Sequence, residues 1–196
     1  MRKIILFNLT LLTVLWGCGP TDSNTESVEN QHDHNHTQEI TEEDLKSPKS
    51  IPREAHGQVG DNHLTIRYHS PGVRGRNVWG GLVAFDQVWV AGAHQATSVE
   101  FSNPIEVNGQ SIPKGKYGFF AVPGRETWHL ILNKNWDQHL TDDYSEEEDL
   151  VRLRVEPTPI SMVERLEYEV IEKNNQNGEI AMRWDTLEVI LPFINK

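Results

Sequence analysis

Ile105-Glu-Val107, Asn108-Gly109, Gln110-Ser-Ile112, then Tyr117-Gly-Phe-Phe-Ala-Val122, Pro123-Gly124 and Thr127-Trp-His-Leu-Ile-Leu132: the run from residue 105 to residue 132 decides the fold. Asn-Gly suits the two left-handed positions of a type I′ turn, so its flanks read as a tight hairpin. Pro113-Lys-Gly-Lys116 and Pro123-Gly124 punctuate the run, and the apolar stretch between them reads as a buried strand. Three turn signals inside some thirty residues leave no room for a helix.

Working outward, His63-Leu-Thr-Ile-Arg-Tyr68 and Ala96-Thr-Ser-Val-Glu-Phe101 alternate apolar and polar, the period of a half-buried strand. Further strands are expected at Val151–Val155, Leu166–Ile171, Glu179–Trp184 and Leu187–Leu191, with a loop at Asn174–Gly178. The only helix candidates are Thr41–Leu45 and a short stretch near Trp136–Tyr144. The pattern predicts an all-β, antiparallel sandwich of about nine short strands. A single domain over 51–196, without internal repeats, buries about two-thirds of its surface and needs neither disulfide nor metal to fold.

The N-terminus has the order of an export signal. Arg2 and Lys3 precede an apolar run from Ile4 to Trp16, and the small residue Gly17 sits before Cys18. The run is too short for a permanent membrane helix and holds Asn8, Thr10 and Thr13. Leu15-Trp16-Gly17-Cys18 resembles the lipobox of bacterial lipoproteins, with Trp16 bulkier than usual there. Residues 1–17 are thus expected to be cleaved and Cys18 acylated, each buried methylene adding roughly 0.8 kcal/mol of anchoring. Cys18 is the only cysteine, so an intramolecular disulfide is excluded and so is thiol catalysis once it is lipidated. Gly19-Pro20 lacks an inner-membrane retention aspartate, which points to the outer membrane, facing the periplasm or the cell surface.

Residues 18–50 are rich in Ser, Thr, Asn, Gln, Asp, Glu and His and poor in aliphatics, the composition of a disordered, acidic tether. As a flexible coil it spans on the order of 30 Å and lifts the domain from the headgroups. The chain carries a formal charge of −11, and loss of Arg2 and Lys3 with the signal makes it two units more negative. Such a balance opposes nucleic acid and anionic membrane surfaces. The expected partners are the bilayer, through acylated Cys18, and a small ligand or an envelope protein, with the domain itself a monomer.

Several ordered motifs carry a resemblance. Tyr68-His-Ser-Pro-Gly-Val-Arg-Gly-Arg76, Trp79-Gly-Gly-Leu-Val83, Val88-Trp-Val-Ala-Gly-Ala-His-Gln-Ala-Thr97, Ile112-Pro-Lys-Gly-Lys-Tyr117 and Leu132-Asn-Lys-Asn-Trp-Asp-Gln-His-Leu140, with Tyr144, Asp149 and Arg152, resemble domain-of-unknown-function family 2911. This family occurs in exported proteins and lipoproteins of two-membrane bacteria. The resemblance covers about Pro52 to Phe193 and implies a β-rich fold and export, but no established activity. Many members read Gly-Ala-Asn-Glu-Ala-Thr where this chain has Gly92-Ala-His-Gln-Ala-Thr97, and Ala84 stands where proline is common. In the branch this chain resembles, a histidine at His94 accompanies one at His139.

The common catalytic signatures are missing: no nucleophile elbow, no His-Glu-x-x-His, no phosphate loop. His94 sits among small residues and His139 in a polar stretch after Trp136. In one pocket they would serve as two ligands of zinc or copper, the third coming from His56, His69, His129 or a carboxylate. Equally, they would serve as the acid–base pair of a hydrolase-like enzyme, or be two hydrogen-bonded histidines that shape a loop. Arg74 and Arg76 would clamp a carboxylate or phosphate, or pair with Glu148 or Asp149. His32, His34 and His36 in the tether would capture metal weakly. Asp142 to Asp149 holds six acids but lacks the spacing and central glycine of a calcium loop. Trp79, Trp89, Trp128, Trp136 and Trp184 read as core or pocket walls. A covalent bridge between His94 and Asp86 or Asp149 is a further expectation. The leading reading is a non-enzymatic binding or structural module whose pocket gathers His94, His139, Trp136, Arg74 and Arg76.

Overall fold

The computed structural model describes residues 48–196, which form ten strands: β1 (Ser50–Val59), β2 (Asn62–Pro71), β3 (Thr97–Phe101), β4 (Ile105–Val107), β5 (Gln110–Ile112), β6 (Gly115–Val122), β7 (Trp128–Asn133), β8 (Asp149–Val155), β9 (Thr158–Glu172) and β10 (Asn177–Asn195). They build two antiparallel sheets, ordered β1-β2-β3-β6-β7-β8 and β5-β4-β10-β9. The all-β, antiparallel reading therefore holds. No helix of the described residues is long and apolar enough to cross a membrane. Cys18, His32, His34, His36 and the helix candidate Thr41–Leu45 lie outside the described residues.

One core joins the sheets, with Leu64, Ile66, Val99, Phe119, Leu130 and Leu132 of the larger sheet meeting Leu166, Ile180, Met182, Val189 and Leu191 of the smaller. Edge-to-face rings stitch the layers at Tyr68–Tyr168 (4.8 Å), Phe119–Tyr168 (5.6 Å) and Phe101–Phe193 (5.8 Å). β2 shows why the alternating pattern was readable, since Leu64, Ile66 and Tyr68 point inward and His63 and Arg67 outward. The Asn108-Gly109 turn has φ of 49° and 80°, both positive as a type I′ hairpin demands.

β6 is buried on both faces from Tyr117 to Ala121. Phe119 and Ala121 join the main core, while Phe120 packs outward with Val90, Ala96, Ile131 and Tyr144 in a second cluster. The segments around residues 88–96 and 134–144 thus roof the outer face of β6 and β7. Trp89 exchanges both backbone hydrogen bonds with Ala121, continuing the sheet where β3 has ended. This roof is where the candidate site lies.

Three expectations need correction. No strand was expected before His63, yet β1 runs beside β2 from Ser50; its inward positions carry the small Ala55 and Gly57 before Val59, so its alternation has little apolar weight. The two strands expected at Glu179–Trp184 and Leu187–Leu191 are one, β10, kinked by register shifts around Asp185. Ile180, Met182 and Trp184 face inward before the kink and Val189, Leu191 and Phe193 after it, so the bulge switches the inward parity from even to odd. In sequence that switch looks like a strand end. Trp136–Tyr144 is not a helix but a string of short turns, closed by Asp142 N–H to His139 O (3.1 Å) and Tyr144 N–H to Thr141 O (3.2 Å). The one helical turn among the described residues is a 3-10 turn at Glu146–Glu148, capped by Ser145.

Candidate functional site

The connection from β2 to β3 is long and pinned at both ends. Val73 N–H donates to Glu164 O (2.8 Å), and Val73, Val78 and Val83 drop into the core. Trp79 lies edge-on to Trp89, Trp128 and Trp184, with ring centres 5.8, 4.7 and 5.7 Å away. The chain then turns sharply through Ala91 (φ 48°) and His94 (φ 63°). Gly92 has no side chain for a steric reason: a Cβ there would stand 2.7 Å from Thr97 Oγ1 and 3.3 Å from His69 O. The loop next runs antiparallel to residues 138–140, with Leu140 N–H donating to His94 O (2.7 Å) and Ala96 N–H to Gln138 O (3.0 Å). Leu140 also has a left-handed backbone, at φ 47°.

These turns enclose a cavity of about 340 Å³, walled by Trp89, Trp184, Leu82 and Leu140 and rimmed by Lys49, Arg76 and His94. Among the described residues no Asp or Glu lines it. The indole N–H of Trp89 donates to Gly92 O (3.0 Å), but those of Trp184 and of Trp79, both buried, have no partner among the described residues. A buried donor without an acceptor costs about 1–3 kcal/mol. Ala91, His94 and Leu140 each add about 1–2 kcal/mol of backbone strain. Arg76 is held on the rim by donating from Nε to Val73 O (3.1 Å) and from Nη2 to Gly72 O.

Behind the ridge formed by the His94 loop lies a second, open groove of about 400 Å³, lined by Arg53, Arg67, His69, Lys116, Trp136 and Asp137 among others. Its charges are largely matched within the protein. Arg67 pairs with Glu54 (2.9 Å) and Glu100 (3.5 Å), and the Lys116 ammonium lies 3.5 Å over the Trp136 ring. His69 meets His94 across the ridge, ring centres 5.3 Å apart at 79°. Burial, and secondarily the neighbouring His94, push the His69 pKa down.

The residues expected to share one pocket are therefore divided. Arg76 and His94 line the cavity and Trp136 the groove. His139 lines neither; its side chain is exposed, with Nδ1 3.1 Å from Asp142 Oδ2. Its backbone pairs with Gln95, one residue beyond His94, whose left-handed backbone turns the chain between the two positions. Arg74 (φ 51°) lies outside both hollows, its backbone N–H donating to Glu164 Oε1 (2.9 Å). Neither arginine pairs with Glu148 or Asp149 in the way expected: Asp149 belongs to another set of partners, and Glu148 pairs with Lys134 (3.4 Å). Among the described residues no three His, Cys, Asp or Glu side chains gather to hold a metal ion, so the expected His94–His139 centre with a third ligand does not form. His56 pairs instead with Glu54 (3.2 Å) and Thr65 (3.3 Å), and His129 sits within β7 opposite Arg154.

Asp149 is the hub of a separate network. It accepts from Asn133 Nδ2 (2.7 Å), Tyr144 Oη (2.8 and 2.9 Å) and Arg152 Nη2 (3.3 Å). Burial first, and then Asp149, push the Tyr144 phenol well above its ordinary pKa. Asp86 sits in a turn where its N–H donates to Pro123 O (2.7 Å). Neither aspartate has an ion pair or hydrogen bond with His94 among the described residues. The sequence reading missed Leu140, which only the long-range pairing of residues 94 and 140 brings to the cavity, and Lys116.

No curated protein and no solved structure matches this chain. The motifs spread over the roof and both sheets do coincide with a family model described as a protein of unknown function (DUF2911), which matches residues 50–193, and the chain belongs to that family.

Proposed function

We propose that this protein is a lipid-anchored envelope binding module whose His94 cavity takes a small anion with an apolar, planar body. The carrying observation is the lining. Acids outnumber Lys and Arg by 29 to 18 over the chain, yet no acid lines the cavity while Lys49, Arg76 and His94 stand at its rim. An acid-free hollow in an acidic protein selects anions from a surface that otherwise repels them. The apolar walls of Trp89, Trp184, Leu82 and Leu140 would take the body of the ligand. Acylation of Cys18 and retention at the outer membrane complete the reading, resting on the lipobox and on composition.

The test uses two fluorescent probes with the same body: 1-anilinonaphthalene-8-sulfonate, and the neutral N-phenyl-1-naphthylamine. The expected result is at least about tenfold tighter binding of the sulfonate, a preference that Arg76→Ala removes, since one charge-assisted contact is worth about 1.5–3 kcal/mol. Equal binding of the two probes, or a preference unaffected by Arg76→Ala, would sink the anion reading. Metabolic labelling with a fatty-acid analogue tests the anchor: Cys18→Ser should abolish the label.

A further inference from the structure

His69 and His94 come from different parts of the chain, β2 and the loop before β3, and meet on the ridge between groove and cavity. Nothing in the packing obliges two imidazoles to meet there. The approach depends on Gly92, which lets the loop press against the His69 backbone, and on the left-handed turn at His94. His56 and His139 both have carboxylate partners, whereas no hydrogen bond or ion pair engages a ring nitrogen of His69 or His94 among the described residues.

The separation of the rings is informative. Two imidazoles bound to one tetrahedral ion at about 2.0–2.1 Å through nitrogen have ring centres about 5.2 Å apart. The observed distance is 5.3 Å. Edge-to-face ring pairs span about 4.5–7 Å; what favours a shared ion is this separation between two rings whose nitrogens have no hydrogen-bond or ion-pair partner among the described residues.

We infer that His69 and His94 form a two-imidazole site for a first-row divalent transition-metal ion, the ring separation fitting the tetrahedral arrangement of Zn²⁺, with Cu²⁺ a tighter-binding probe of the same pair. Water fills the remaining positions, and one of them opens toward the cavity that His94 lines. The site stands apart from the anion reading, because His69 does not line that cavity and Arg76 takes no part in the pair.

The experiment is Cu²⁺ titration of the full chain carrying His32→Ala, His34→Ala and His36→Ala, so that the N-terminal histidines capture no metal. Affinity is read by calorimetry and the ligand set by electron paramagnetic resonance. His69→Ala or His94→Ala should weaken binding at least tenfold and reduce the nitrogen hyperfine pattern from two imidazoles to one, while His56→Ala and His139→Ala change neither. Substoichiometric Cu²⁺ should also broaden the ring-proton signals of His69 and His94 before those of other histidines, a measurement that needs no substitution at the site. Equal affinity in all four variants, or broadening spread evenly over the histidines, would overturn the inference. Loss of metal in His69→Ala with probe binding intact separates this site from the anion cavity.

Discussion

Two motif-rich regions of this protein use polar residues in opposite ways. Around Asp149, each strong donor has found an acceptor. Asn133, fully buried, also donates to Ser145 O (2.9 Å) and accepts from Asn135 N–H (2.8 Å), and Arg152 reaches Glu146 (3.4 Å) as well as Asp149. The network ties the β7–β8 connection to the sheet. Around His94 and the tryptophan cluster behind it the account does not close: Trp79 and Trp184 keep unused N–H groups among the described residues, and Ala91, His94 and Leu140 occupy a backbone region that side chains disfavour. A saturated network is what stability alone produces. Strain and an idle donor persist only where the surrounding structure fixes them, and they concentrate where something binds. The first region reads as structure, and the second is where the proposed binding role is placed.

The largest expected effect falls on the first region. Asp149→Ala strands three donors at once, in a side chain only 8% exposed, and should destabilise the domain by about 3 kcal/mol in urea unfolding. The Tyr144 phenol should also titrate at lower pH, because one of the influences raising it is gone. A loss below about 1 kcal/mol would mean the network is ornament rather than a tie. A smaller effect is expected at the join of the two regions. Gly92→Ala places a methyl 2.7 Å from Thr97 Oγ1, whose own bond to Ala91 O (2.9 Å) holds the loop. Overpacking of that kind costs about 1–3 kcal/mol. The same change should weaken sulfonate binding, as the His94 loop lifts. Unchanged binding at reduced stability would show that the cavity tolerates movement of its rim.

Much of this architecture was legible in the sequence because the signals were local. The Asn108-Gly109 turn and the alternation of β2 report their own geometry, whatever the rest of the chain does. β1 was illegible because it is an edge strand whose inward positions hold small residues, Ala55 and Gly57, so its alternation carries little apolar weight. The candidate site was half legible for a related reason. Small residues around His94 correctly marked a place of close approach, yet which side each histidine faces depends on the pairing of Gln95 with His139, a contact across more than forty residues. Proximity in that pairing was real, but His94 lines the cavity while the His139 side chain is exposed beside Asp142.

The smallest effect tests whether strain next to the cavity is dispensable. Asp185, at φ 56°, forms the bulge beside Trp184, and burial followed in effect by the nearby Glu164 raises its carboxyl pKa. A raised pKa means the folded chain holds that proton more tightly than the unfolded chain. Below the unfolded pKa both states are protonated and there is no penalty; as the pH climbs through the window up to the folded value, the unfolded state ionises first and stability is lost. At neutral pH the folded domain therefore carries the full penalty of this carboxylate. Asp185→Asn removes the charge, keeps an oxygen able to accept from Thr186 N–H, and suits a left-handed position. Its melting temperature should exceed that of the parent by no more than a few degrees at pH 7, with the gain shrinking as the pH falls through the carboxylate range. A gain of the same size at every pH would locate the benefit in the backbone instead. Weaker sulfonate binding in the stabilised variant would show that the bulge is held under tension for the sake of the cavity wall.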